Sequence, residues 1–217
     1  MKLILKENRI LLIVYLLLAL LGLALLLIYP KNLSFLTVTP YHSNAFNSFF
    51  KVMSQIGNGF FALVLIPLFT FKKIRTAVYL AMAYAFSGVL VQFLKRVVFD
   101  DVYRPIKHFG EQGIDIYHVP GFENYMIYSF PSGHTTSAFV LFFGLALISR
   151  SILLKFLFFA LAITIGYSRI YLSQHFPEDV LAGSFIGIAC AMSFLWLSNR
   201  WTKPWLDLSI IQLFKKK

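Results

Sequence analysis

The sequence predicts an all-α fold, an integral membrane bundle of six transmembrane helices forming a single domain over residues 1–217, with a candidate site at one membrane interface. Three observations predict it. Hydrophobic residues make up 59% of the 217 positions and charged residues only 13%, with a mean hydropathy of +0.73. An ordinary soluble domain is about 45–50% apolar and about 25% charged, so a single aqueous core of this length has too little interior for such a composition. The apolar residues gather into six runs, and the titratable residues other than Lys and Arg gather into the loops on one side of them.

The predicted helices run over 10–29, 56–71, 76–94, 132–148, 152–167 and 180–198. A span needs about 20 residues to cross about 30 Å of hydrocarbon. The second and fifth runs are short by that measure and extend through flanking polar residues, with Lys155 placed to snorkel. Pro67 in the second run is tolerated in a membrane helix. The first run follows Lys2, Lys6 and Arg9, as a signal peptide would. It is longer than an h-region of about 7–15 residues, and Tyr29-Pro30-Lys31-Asn32 offers no small-residue cleavage site, so it reads as a retained helix.

Six spans place both termini on one side. Assigning that side to the cytoplasm puts Lys2, Lys6, Arg9, Lys72, Lys73, Arg75, Arg150, Lys155, Arg200, Lys203 and Lys215 to Lys217 inside, 13 of the 20 Lys and Arg. The positive-inside rule supports this orientation. It also accounts for the net charge of +11 as topology signal and contact with anionic lipid, not as a nucleic-acid surface. All five histidines and seven of the nine acids then fall outside, so the titratable chemistry sits on one face. Cys190 lies alone in an apolar run and reads as buried packing. Residues 45–56 place Phe46, Phe49, Phe50, Met53 and Ile56 at helical spacing, which predicts an amphipathic helix either lying in the outer interface or packed on neighbouring loops. The outer loop 95–130 is long for a bundle, and long loops are often functional.

Three clusters lie at the outer helix ends. Lys95-Arg96 closes the third helix, with Arg104-Pro105 beyond it. Pro131-Ser132-Gly133-His134 opens the fourth. Proline suits a first helical position, and the amides of Ser132, Gly133 and His134 then lack intrahelical partners and form an anion site. Gly133 admits close approach of a ligand to the backbone. The third cluster is Ser168-Arg169, His175 and Asp179. Pro177 marks the first turn of the sixth helix, from which Asp179 can reach back to one ring nitrogen of His175. That fixes the tautomer and frees the other nitrogen to attack, a triad logic with histidine as nucleophile. Arg104 and Arg169 carry planar forks suited to phosphate oxygens, and Lys95 a point charge.

Together these motifs resemble the type 2 phosphatidic acid phosphatase family, which includes bacterial lipid phosphatases, glucose-6-phosphatase and vanadium haloperoxidases. The family pattern is Lys-x6-Arg-Pro, Pro-Ser-Gly-His and Ser-Arg-x5-His-x3-Asp. The second and third motifs are intact here. The first departs, with eight residues between Lys95 and Arg104; Lys95 is assigned as the family lysine with a two-residue insertion after it, and Arg96 is the alternative. The resemblance implies that His175 forms a phosphohistidine, that Asp179 orients it and that His134 protonates the leaving oxygen. It implies that Lys95, Arg104, Arg169, Ser132 and the Gly133 amide hold the phosphate, with no metal and no cofactor. The expected activity is hydrolysis of a lipid phosphate or pyrophosphate: undecaprenyl pyrophosphate, phosphatidylglycerol phosphate, phosphatidic acid or a lipid A phosphate. The expected place is a bacterial inner membrane, with the site facing the periplasm or exterior.

Two rival classes fit parts of the pattern. A lipid or ion transporter also places charge in a membrane, but near the midplane and commonly with internal repeats. An inactive family member binding lipid as a partner is opposed by the intact His134, His175 and Asp179. The remaining outer histidines, His42, His108 and His118, read as solvated.

Overall fold

The computed structural model describes residues 1–39 and 41–215, and among them there are helices and no strands. A short helix α1 (Lys2–Glu7) leads into α2 (Arg9–Ile28), followed by α3 (Lys31–Val38), α4 (Asn44–Ile56) and α5 (Gly59–Leu68). Helix α6 (Ile74–Phe93) ends in a π-helical turn, Leu94–Val98. The outer loop carries α7 (Pro105–Glu111). One continuous apolar helix then comprises α8 (Gly133–Ala138), a π-helical stretch Phe139–Phe143 and α9 (Gly144–Ile148). Helices α10 (Ile152–Tyr171), α11 (Pro177–Ser198) and α12 (Ile210–Lys215) complete the chain.

Among the described residues four helices are long and apolar enough to cross a bilayer: Arg9–Ile28, Ile74–Val98, Ile152–Tyr171 and Pro177–Ser198. A fifth span results if α4 and Gly59–Phe71, bent by 58° at their junction, are taken together. The sequence expectation of six is therefore met only in part. The Gly133–Ile148 segment is too short by the same measure, reaching about 24 Å at 1.5 Å per residue. Predicted helices five and six were cut short. They run on through Arg169 and begin before Asp179, and both charged residues are buried inside the protein and so are kept from lipid.

The core lies where α6, α10 and α11 enclose the 133–148 helix, with Leu80, Ala83, Val140, Phe143, Ala162, Ile165 and Ala191 buried. Leu20, Leu21 and Leu27 of α2 stay more than half exposed, as a lipid-facing surface requires. Helix α11 approaches α8 through glycine. A Cβ on Gly183 would lie 2.7 Å from the Ser132 carbonyl oxygen, and one on Gly187 would lie 2.6 Å from Cβ of Phe139. Small residues one turn apart allow such backbone contact in membranes. Cys190 is buried and unpaired, as its apolar run predicts.

Helix α4 is amphipathic with an inverted sense. Its polar residues Asn47 and Ser54 are 5% and 3% exposed and face the protein, while Phe46, Phe49 and Val52 face outward. Helix α4 packs on helix α10 through this polar face. Lys155 does not snorkel. It is buried, and its ammonium donates to the Glu7 carbonyl and to the Asn8 side chain.

Candidate active site

The third cluster forms around the turn that joins α10 to α11. After Tyr171 the chain folds back, and the amides of Gln174 and His175 donate to the Arg169 carbonyl at 2.9 and 3.1 Å. His175 therefore stands beside Arg169. Pro177 takes the first helical position of α11, and Asp179 in that first turn accepts from the Phe176 amide at 2.9 Å. The same oxygen, Oδ2, lies 3.2 Å from Nδ1 of His175 and accepts from the Ser129 hydroxyl at 2.5 Å. His175 and Asp179 are both about 1% exposed or less. With Nδ1 held by the carboxylate, the ring proton belongs there and Nε2 carries the free lone pair.

Ser129 escaped the sequence reading. It reaches Asp179 because the two ends of the outer loop pair: the Arg104 amide donates to the Met126 carbonyl at 2.9 Å and the Ser129 amide to the Val102 carbonyl at 3.0 Å. No sequence motif marks that pairing.

The cations converge on this dyad. Lys95 is buried, and its ammonium donates to the Tyr128 carbonyl at 2.6 Å. Arg104 donates through Nε to the Ile127 carbonyl at 2.9 Å and through Nη1 to the Gln174 side chain at 3.1 Å, with its guanidinium over the Tyr125 ring. Arg169 is buried, bonded through Nη1 to the Ser54 hydroxyl, and its Nε has no partner among the described residues. Ser54 and Gln174 are further residues that sequence reasoning missed. The signal for Ser54 was present as the polar stripe of α4. Burial, with Arg104, Lys95, Arg169 and His134 nearby, holds the His175 pKa well below its ordinary value, so the imidazole is neutral at pH 7.

The second cluster differs in detail from its expectation. Pro131 stands before the helix, Ser132 is the N-cap, and the helix starts at Gly133. The Ser132 amide is not free: it donates to the Asp179 carbonyl at 3.0 Å. Its hydroxyl accepts from the Thr135 hydroxyl at 2.8 Å and caps the Thr135 amide. The anion-facing amides are thereby reduced to those of Gly133 and His134. His134 lines a cavity of about 170 Å3 with Gly57, Gly88 and Gln92, and Gln92 also borders a cavity of about 370 Å3 lined by Lys95, Arg96 and Arg104. Arg96 is exposed and donates through Nε to Gln92 at 3.3 Å. The structure thus brings His175, Asp179, His134, Lys95, Arg104, Arg169 and Ser132 together, and leaves Arg96 at the rim. His42 and His108 are not simply solvated: His42 stacks on Tyr117 at 4.1 Å, and His108 bonds Asn32 at 2.7 Å.

A buried histidine–carboxylate pair ringed by cations at the ends of membrane-spanning helices defines an anion-handling site in an integral membrane protein. The chain belongs to the PAP2 superfamily, whose family model matches residues 76–203. It is 35% identical over 109 residues to the lipid A 1-phosphatase of Rhizobium johnstonii, covering 50% of this chain and 42% of that protein. It is 24% identical over 180 residues to the undecaprenyl-diphosphatase BcrC of Bacillus subtilis, covering 78% of this chain and 83% of the relative. The crystal structure of Aquifex aeolicus LpxE superimposes with a TM-score of 0.66 at 27% identity, covering 77% of this chain and 96% of that one. The chain spans less than half the length of the lipid A 1-phosphatase it matches.

Proposed function

We propose that the protein is a metal-independent phosphatase that hydrolyses a lipid phosphate or pyrophosphate at the membrane surface through a phosphohistidine on His175. The observation that carries this reading is the His175–Asp179 pair at 3.2 Å with Lys95, Arg104 and Arg169 around it. Nε2 of neutral His175 attacks phosphorus while the bond to the leaving oxygen breaks. The three cations and the Gly133 amide stabilise the transferring group. Protonated His134 gives its proton to the leaving alkoxide or phosphate. Water then attacks the phosphohistidine, His134 takes its proton, and inorganic phosphate leaves with His175 restored. Asp179 holds the ring throughout, and Ser132 acts as the cap that fixes the Gly133 and His134 amides.

The site's depth supports a lipid substrate: its residues sit at helix ends, level with lipid headgroups. The named relatives support a lipid A phosphate or undecaprenyl pyrophosphate ahead of other lipid phosphates. We read the chain as one domain of six spans, with the α4–α5 pair and the 133–148 helix each counted once. Its termini lie in the cytoplasm and its site faces the exterior of a bacterial inner membrane, as the distribution of Lys and Arg favours. The test is phosphate release by the full-length purified protein in matched detergent. The panel is undecaprenyl pyrophosphate, lipid A, phosphatidylglycerol phosphate, phosphatidic acid and a water-soluble phosphate ester. At least one lipid should exceed the soluble ester by roughly a hundredfold in kcat/KM, a difference of about 2.7 kcal/mol. Equal turnover of the soluble ester, or full activity of a folded His175→Ala variant, refutes the assignment.

A further inference from the structure

At the end of the molecule away from the phosphatase site, α1, the start of α10 and the end of α11 enclose a cavity of about 660 Å3. Helix α10 separates the two regions by its full length of 20 residues, about 30 Å. The floor is polar and built. Asn8 is 2% exposed, and its amide donates to the carbonyls of Ile4 at 3.0 Å and Leu147 at 3.2 Å. Its side-chain oxygen accepts from the ammonium of Lys155, which is 7% exposed and also donates to the Glu7 carbonyl at 3.3 Å. Arg150 lines the same cavity and is exposed. The carboxylate facing this pair is that of Glu7, exposed at the rim. Among the described residues neither Lys155 nor Arg150 forms an ion pair.

A buried ammonium in no ion pair is costly, and an anion entering the cavity would offset that cost. The surroundings indicate which kind. Leu3 on α1 lines the cavity and remains 63% exposed, and Ile148 and Leu195 line it from the other side, so apolar surface flanks the polar floor. A polar pocket bordered by exposed apolar surface, at a helix end, matches an amphiphile in which a phosphate headgroup joins apolar chains. We propose that this cavity binds the phosphate headgroup of an anionic phospholipid from the leaflet opposite the phosphatase site. The site stands apart from the catalytic reading and does not depend on it.

Native mass spectrometry of the full-length protein tests the assignment. Phosphatidylglycerol and phosphatidylcholine of matched chains are titrated separately, with inorganic phosphate as a third arm. One phosphatidylglycerol should be retained in preference to phosphatidylcholine, and the preference should fall about five-fold for each cation removed. The variants are Lys155→Met and Arg150→Gln; the second changes an exposed side chain and keeps the comparison valid if the first fails to fold. Equal retention of the two lipids overturns the proposal, as does an undiminished preference in Arg150→Gln. Displacement of phosphatidylglycerol by equimolar inorganic phosphate overturns the lipid source and leaves a free-anion site.

Discussion

One carboxylate oxygen of Asp179 receives three donors: the His175 ring, the Ser129 hydroxyl and the Phe176 amide. Orientation of the His175 ring and the start of α11 thus rest on a single atom. Asp179→Asn should lower kcat by orders of magnitude, by analogy with triads; a loss smaller than about tenfold removes Asp179 from this role. Ser129→Ala keeps the ring bond but drops one support, so a smaller loss of about tenfold is expected from a donor worth about 1.5 kcal/mol. The depressed pKa of His175 sets the pH dependence. In the proposed reaction its neutral form attacks, so on the acid side activity is lost as pH falls through the lowered value, while the need for protonated His134 sets a separate alkaline limb. The acid limb of kcat/KM, which reports the free enzyme, should therefore lie well below about 6.5; a limb at the ordinary value contradicts the burial argument. Neighbouring helical residues point about 100° apart, and Lys95 points inward while Arg96 points out. Lys95→Ala should cost more kcat/KM than Arg96→Ala, and the reverse order reassigns the first-motif cation. Residues inside the motifs were legible in the sequence because each motif packs its partners at fixed spacing on one helix end. Ser129 was not, since it reaches the dyad through pairing of two irregular strands of loop, which leaves no periodic trace.

At the scale of elements, the glycines of α11 control how closely the second and third motifs meet. Gly183 faces the Ser132 carbonyl at a Cβ distance of 2.7 Å, whereas a Cβ on Gly88 meets nothing within 4 Å. Gly183→Ala must push α8 from α11, at a cost of about 1–3 kcal/mol, and should lower both thermal stability and activity. Gly88→Ala should leave thermal stability unchanged; matching melting temperatures for the two variants would contradict the close-contact account. Helix existence was readable from apolar runs, and helix ends were not. Charge normally terminates a span, but Arg169 and Asp179 lie inside helices because they are buried within the protein. The bend between α4 and α5 was likewise hidden, because the polar stripe of α4 turns toward Arg169 and not toward water.

For the whole molecule, the proposed reaction has the positive side chains at one end supply the charge that a metal would otherwise bring to phosphoryl transfer. Activity should survive chelators and should be inhibited by vanadate, which takes the five-coordinate shape of the transferring group; loss with chelator and recovery with a divalent ion would contradict this. The membrane character and the one-sided chemistry were both visible in composition and loop content, while the cavity beneath α1 had no sequence signature, being made by packing of distant segments. Helix α10 has a consequence beyond scaffolding. It holds Arg169 near one end and Lys155 in its first turn, and both are tethered, to Ser54 and to Asn8. Neither cation can slide along the membrane normal without breaking its tether. The helix therefore acts as a gauge of hydrocarbon thickness. A bilayer thinner or thicker than the distance it fixes displaces lipid phosphates relative to His175, or tilts the bundle at a modest cost for each ångström of mismatch. In the proposed reaction, the depth at which a headgroup meets His175 then depends on the chain length of the surrounding lipids as well as on the protein.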